Sequence, residues 1–229
     1  MKVARLGRLA VLGAAVALAV PTVASANEVT KWNEITVNTV NAQPPITSAP
    51  PAGAVFIAMV QGAVYGAVNA ADRHGRPYLI NRSYPKASPD AAAATAAYRV
   101  LWELFPAQRG TLDAEYATSL AAIPNDGEDQ GKAVGEMAAA AMLAEGHDGR
   151  TVIGCAYGSV VPGVWQPLPG PPAAPACDPS PWVKDAKPFV VQSASQFRTA
   201  GPYPLDSAAY AADYNEVKEI GSLTSTARM

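Results

Sequence analysis

The chain has 229 residues, 49% of them apolar and 16% charged, with a formal net charge of −2. That length and apolar fraction allow one sizeable domain with a real hydrophobic core and exclude a disordered tail. The mildly acidic balance leaves no electrostatic footprint for nucleic acid and argues against a general anion-binding face.

The N-terminus has the layout of a secretory signal peptide. Lys2, Arg5 and Arg8 form a positive region, residues 9–20 are an unbroken small-apolar run, and Pro21 breaks it. Ala24-Ser25-Ala26 offers a small-residue cleavage site, so cleavage between Ala26 and Asn27 is expected. The alternative is a membrane anchor, but a run of 12 residues is short of the roughly 20 that a spanning helix needs. The expected location is secreted or periplasmic, with no membrane association after signal removal. Losing residues 1–26 removes three basic side chains and no acids, which leaves 14 basic against 19 acidic residues.

Residues 27–43 read as a first helix, with Val29, Trp32, Asn33, Thr36 and Val40 near helical spacing and Pro44-Pro45 ending it. Residues 44–51 are a Pro-rich linker. Residues 52–71 form a second helix, apolar nearly all round except for Gln61, Tyr65 and Asn69 at i, i+4 and i+8. Its 20 residues could span a bilayer, but its Gly and Ala content and its polar stripe favour a central core helix. The stripe is expected to be buried and paired with neighbouring helices rather than to form a ligand site.

After a loop over 72–86, Ser88-Pro89-Asp90 makes a good helix start: a capping hydroxyl, a proline at the first helical position and a carboxylate at the positive dipole end. The helix runs over 91–105, with an apolar stripe of Tyr98, Leu101, Trp102 and Phe105, and Pro106 stops it. Thr111 is expected to cap the next helix, where Leu112, Tyr116, Leu120 and Ile123 share a face. The Asn125-Asp126-Gly127 turn leads into a helix over 128–145, where Gly131, Gly135 and Ala139 allow close helix approach and Gly146 provides the C-terminal glycine. The acids Asp126, Glu128 and Asp129 are explained by the dipole at that helix start.

From residue 147 to 204 the chain is rich in proline and glycine, and no long periodic run survives. It reads as a long ordered loop that packs Trp165, Trp182, Phe189 and Phe197 onto the helical body. Asp206-Ser207 then starts a last helix, with Tyr210, Tyr214 and Val217 on one face and Gly221 at its end. There is no strand pattern of period two. The expected fold is all-α, an antiparallel bundle of about six helices with a long Pro-rich loop before the last.

Cys155 and Cys177 flank the most Pro-rich stretch. An even pair in an oxidising compartment is expected to form a disulfide, two free thiols being the other reading. No CxxC, histidine cluster or ligand spacing points to a metal site, and no G-x-S-x-G elbow, phosphate loop or H-E-x-x-H motif points to another enzyme class.

Several segments, in order over about residues 29–228, together resemble the vanadium-dependent haloperoxidases of the type 2 phosphatidic acid phosphatase superfamily. They are Val29-Thr30-Lys31-Trp32-Asn33; the run from Met59-Val60-Gln61-Gly62 to Asn69-Ala70; Ala96-Ala97-Tyr98-Arg99-Val100-Leu101 through Leu104-Phe105-Pro106; Asp148-Gly149; Pro162-Gly163-Val164-Trp165-Gln166-Pro167; Gln196-Phe197-Arg198; Leu205-Asp206-Ser207-Ala208-Ala209-Tyr210; and Asp213-Tyr214-Asn215-Glu216-Val217-Lys218-Glu219-Ile220-Gly221. The resemblance implies a helical bundle that holds vanadate or phosphate with a bonding histidine, a lysine, two arginines and a Ser-Gly pair, while a second histidine acts as acid–base. A multiply charged oxyanion outside bulk water requires such converging cations and donors.

This chain does not carry that set. The family pattern places a lysine seven positions before an Arg-Pro; the only Arg-Pro is Arg76-Pro77, and the corresponding position is Asn69. The nearest match to Ser-Gly-His is Glu145-Gly146-His147, where the glutamate would repel an anion. The arginine expected six positions before a histidine is Val68 for His74 and Ala141 for His147. Both histidines are expected to be solvated, His74 in a surface loop and His147 past a helix end.

The expectation is therefore a truncated, secreted haloperoxidase-like protein: residues 27–229 as the helical N-terminal scaffold, with the C-terminal catalytic half absent, no catalytic, cofactor-binding or metal residue of its own, and no activity alone. The vanadate cofactor belongs to the intact family, whose members oxidise halides with peroxide or hydrolyse phosphate esters. Its expected partner is the missing catalytic half. A scaffold subunit of a split haloperoxidase and a helical binding module are the other two readings.

Overall fold

The computed structural model describes residues 28–44, 50–147, 161–164, 182, 185–221 and 225–227. Among them are six α-helices and no strand: α1 (Glu28–Asn41), α2 (Pro50–Ala71), α3 (Pro89–Leu104), α4 (Arg109–Ala122), α5 (Glu128–Glu145) and α6 (Ala208–Ile220). The all-α class is the one that the periodicity predicts. Ala26, Asn27, Cys155, Cys177 and Trp165 lie outside the described residues, so the expected cleavage site, disulfide and Trp165 packing do too.

Alanine decides the centre of the bundle. The Ser88 Oγ accepts from the Ala91 N–H at 3.2 Å, Pro89 opens the helix and Asp90 lies in its first turn. Residues 91–97, six alanines and Thr95, are all buried. Alanine costs no side-chain entropy in a helix, and its small size lets neighbours approach on every side. Helices α1, α2, α4 and α5 all pack on α3. The stripe expected from the larger residues is only half of the truth: Leu101 and Phe105 are buried, but Tyr98 and Trp102 are half-buried at the margin.

The α3–α5 contact is the closest. A β-carbon on Gly131 would lie 2.5 Å from the Ser88 carbonyl oxygen, and one on Gly135 would lie 2.7 Å from that of Ala92. Lys132 pairs with Glu128 at 3.0 Å and Asp129 at 2.8 Å across the first turn of α5.

Trp32 of α1 is fully buried, and its indole N–H is shared between Glu28 Oε2 and Ser119 Oγ, each 3.1 Å away. Its ring meets Tyr98 and Tyr116 edge-on, each at 6.3 Å, while those two stack on each other at 4.1 Å. One side chain thus joins α1, α3 and α4.

Thr111 does not cap α4. A short 3-10 turn, Pro106–Gln108, runs directly into a helix that begins at Arg109, so Thr111 falls inside the first turn. Arg109 is fixed there by its guanidinium, which donates to the Trp102 carbonyl at 2.9 Å and lies 3.4 Å over the Trp102 ring.

Helix α2 is long and apolar enough to cross a membrane, but it packs against α1, α3 and α5 with half of its most apolar stretch buried, as a core helix does. Helix α6 differs from the rest. It is capped by Ser207, whose Oγ accepts from the Tyr210 N–H at 3.1 Å, yet none of its residues is buried. Of the loop aromatics, Trp182 is buried and Phe189 packs on the core, but Phe197 is 78% exposed, contrary to expectation.

Candidate functional site

The polar stripe of α2 does not run into the bundle; it borders two clefts. The smaller, about 340 Å³, lies between α1, α2 and the loop after α2, and is lined by Val29, Gln61, Val64, Tyr65, Val68, Asn69, Asp72, His74 and Gly75. The larger, about 650 Å³, shares Gln61 and Tyr65 and is completed by Ala58, Gly62, Arg76, Pro77, Tyr78, Phe189 and Val190. The expectation that the stripe pairs with neighbouring helices holds for Gln61, whose amide nitrogen donates to Asn33 Oδ1 of α1 at 2.9 Å. It fails for the other two, which serve the loop. The Tyr65 hydroxyl donates to the Arg76 carbonyl at 2.7 Å, and Asn69 Oδ1 accepts from the Gly75 N–H at 2.7 Å. Tyr65 is 45% exposed whereas Asn69 is only 5% exposed.

His74 stands in solvent, as expected, with Nε2 3.1 Å from Asp72 Oδ1. His147 does not. It is 1% exposed, and its ring stacks on Phe189 at 4.0 Å. Its Nδ1 is 2.6 Å from the Lys187 carbonyl oxygen, so that nitrogen carries the proton; Nε2 is buried with no hydrogen-bond partner. The neighbouring Lys187 ammonium pairs with Glu145, holding that carboxyl below its usual range by hydrogen bonding and charge. The Tyr78 hydroxyl donates to the Phe189 carbonyl at 2.9 Å, and burial, reinforced by the charge of Glu145, pushes its pKa up. Together these contacts dock residues 187–189 onto the bundle. Sequence reasoning missed them because His147 meets partners some forty residues away, and its place just after Gly146 looks like a free helix end.

The described residues do not fit vanadate or phosphate. The two clefts contain His74 and Arg76, respectively, as their sole cationic or basic residues, and the first also contains the Asp72 carboxylate. Several other cations are held by separate partners: Arg99 by Glu136 at 2.9 Å, Lys132 by Glu128 and Asp129, Lys187 by Glu145, and Arg73 by the Asn81 carbonyl at 2.7 Å. An oxyanion site needs such groups converging on one point.

The chain matches no family model, no curated protein and no solved structure.

Proposed function

We propose that this chain is the helical scaffold of an exported, haloperoxidase-like protein of the type 2 phosphatidic acid phosphatase superfamily, without oxyanion chemistry of its own. The observation that carries the reading is the state of α6. This helix holds Asp213-Tyr214-Asn215-Glu216-Val217-Lys218, part of the last segment of the resemblance, and is capped at its start. Yet Tyr214, Val217 and Ile220 are 58%, 66% and 42% exposed. A folded helix whose apolar residues face water is a surface for another element.

The occupant is a helical half that bears the lysine, arginine and histidine set of the family and comes from outside this sequence. The paired cations and the carboxylates beside His74 and His147 support the same division of labour: this half builds and stabilises, and the other half binds the anion. Where that half binds vanadate, it supplies peroxide activation.

The test is direct. The purified chain is expected to leave the vanadium NMR signal of added orthovanadate unbroadened and to oxidise no bromide with hydrogen peroxide. Stoichiometric vanadate binding, or vanadate-dependent bromide oxidation by this chain alone, overturns the reading.

A further inference from the structure

We propose that the cleft between α1, α2 and the loop following α2 is a binding site for a small organic ammonium compound with an apolar body. The inference stands apart from the scaffold reading, since it rests only on residues of this cleft.

The shape comes first. A volume of about 340 Å³ falls at the lower end of the range of small-molecule sites. The apolar floor is formed by Val29, Val64 and Val68. The rim is polar and its hydrogen-bonding capacity is lopsided. The Tyr65 hydroxyl spends its proton on Arg76, so its oxygen is left as an acceptor. Gln61 commits its amide nitrogen to Asn33, so its carbonyl oxygen is left as an acceptor too. Asp72 adds a carboxylate. Against these three acceptors stand two amide donors, the second N–H of Gln61 and the amide of Asn69. Asn69 is 95% buried by its 5% exposure, and its Oδ1 is fixed by the Gly75 N–H. That bond leaves the amide nitrogen of Asn69 as a donor in the lining of the cleft. A ligand hydroxyl or carbonyl can accept from it.

The charge then selects the ligand. Asp72 directly follows α2, and its N–H still bonds the Val68 carbonyl at 2.8 Å. The carboxylate therefore lies at the negative end of a 22-residue helix. The single basic residue that lines the cleft, His74, is already paired with that carboxylate, and the neighbouring Arg73 guanidinium is held by the Asn81 carbonyl. Both the dipole and the carboxylate favour a cation and oppose an anion, and the exposed Tyr65 ring adds an aromatic face on which an ammonium can rest.

Gly75 keeps this geometry. A β-carbon there would come 2.5 Å from the Tyr65 hydroxyl and 3.3 Å from Asn69 Oδ1, so only glycine lets the loop cross both without moving them.

The experiment titrates the isotope-labelled full chain with phenethylamine, phenethyl alcohol and 3-phenylpropionate, each to on the order of 10 mM. Phenethylamine is expected to shift the Asn69 side-chain amide and the Gly75 backbone amide saturably, with the alcohol weaker and the carboxylate silent. Asp72→Asn, at an exposed position, is expected to weaken phenethylamine about three- to fivefold. Gly75→Ala, which displaces the Tyr65 hydroxyl, is expected to weaken all binders. Added salt should weaken the amine but not the alcohol. Absence of a shift with the amine, a carboxylate that binds as well as the amine, or shifts that map elsewhere would each overturn the proposal. So would an Asp72→Asn chain of unchanged affinity and salt dependence.

Discussion

Tyr98 shows how one side chain can be both a packing unit and a titratable one. Its ring stacks on Tyr116 and meets Trp32, and its hydroxyl donates to Asp113 at 2.8 Å. Burial first, then that hydrogen bond and the carboxylate's charge, push its pKa from 10.0 up to about 12. The folded chain therefore holds this proton more tightly than the unfolded chain. The stability it contributes is complete below pH 10 and is lost as the pH rises from 10 to about 12. Melting temperature is expected to fall across that window more steeply for the native chain than for Tyr98→Phe, which keeps the ring and removes the proton. Parallel slopes would contradict this account of Tyr98. At the same scale, the sequence could be read for Ser88, Gly146 and His74, whose surroundings are local. It could not be read for His147, because the residues that bury it, Phe189 and Lys187, follow a stretch with no periodicity.

At the scale of elements, the helices were legible because their signals are local too. Caps, prolines and the 3.6-residue period place all six within a few residues of their observed ends. The exceptions have physical reasons. Pro106 does not simply stop α3; it opens a 3-10 turn that feeds α4, and Thr111 is thereby drawn inside the helix. The deepest core is the alanine run of α3, which a search for large apolar stripes overlooks, since alanine buries well only when partners come close. Gly131 and Gly135 are what allow that approach. Gly131→Ala is expected to lower stability by about 1–3 kcal/mol in chemical denaturation, because the new methyl group meets backbone that cannot swing aside. Gly110→Ala, in α4 with nothing within 4 Å, is expected to stabilise by up to about 1 kcal/mol through helix propensity alone. Equal effects at the two sites would mean that the close α3–α5 contact is not formed.

The polar stripe of α2 illustrates the limit of the sequence for the candidate site. Gln61, Tyr65 and Asn69 could be found from their spacing, but their partners could not. The cleft exists because the chain after Ala71 turns back, so that Gly75 and Arg76 bond Asn69 and Tyr65, two and six residues before the end of α2. No composition signal announces that return.

On the scale of the whole molecule, the chain divides into a closed body and an open end. Helices α1 to α5 bury a common core around α3, while α6 buries none of its residues among those described. Stability, and with it protection of backbone amides, should follow the same division. The measurement that tests this most directly is hydrogen exchange of the purified full chain, resolved by peptide. Helices α2, α3 and α5 are expected to exchange slowly and together, and residues 208–220 orders of magnitude faster. Protection of α6 equal to that of α3 would mean that its apolar face is already covered within this chain, and would contradict its proposed role as a docking surface for another helical element.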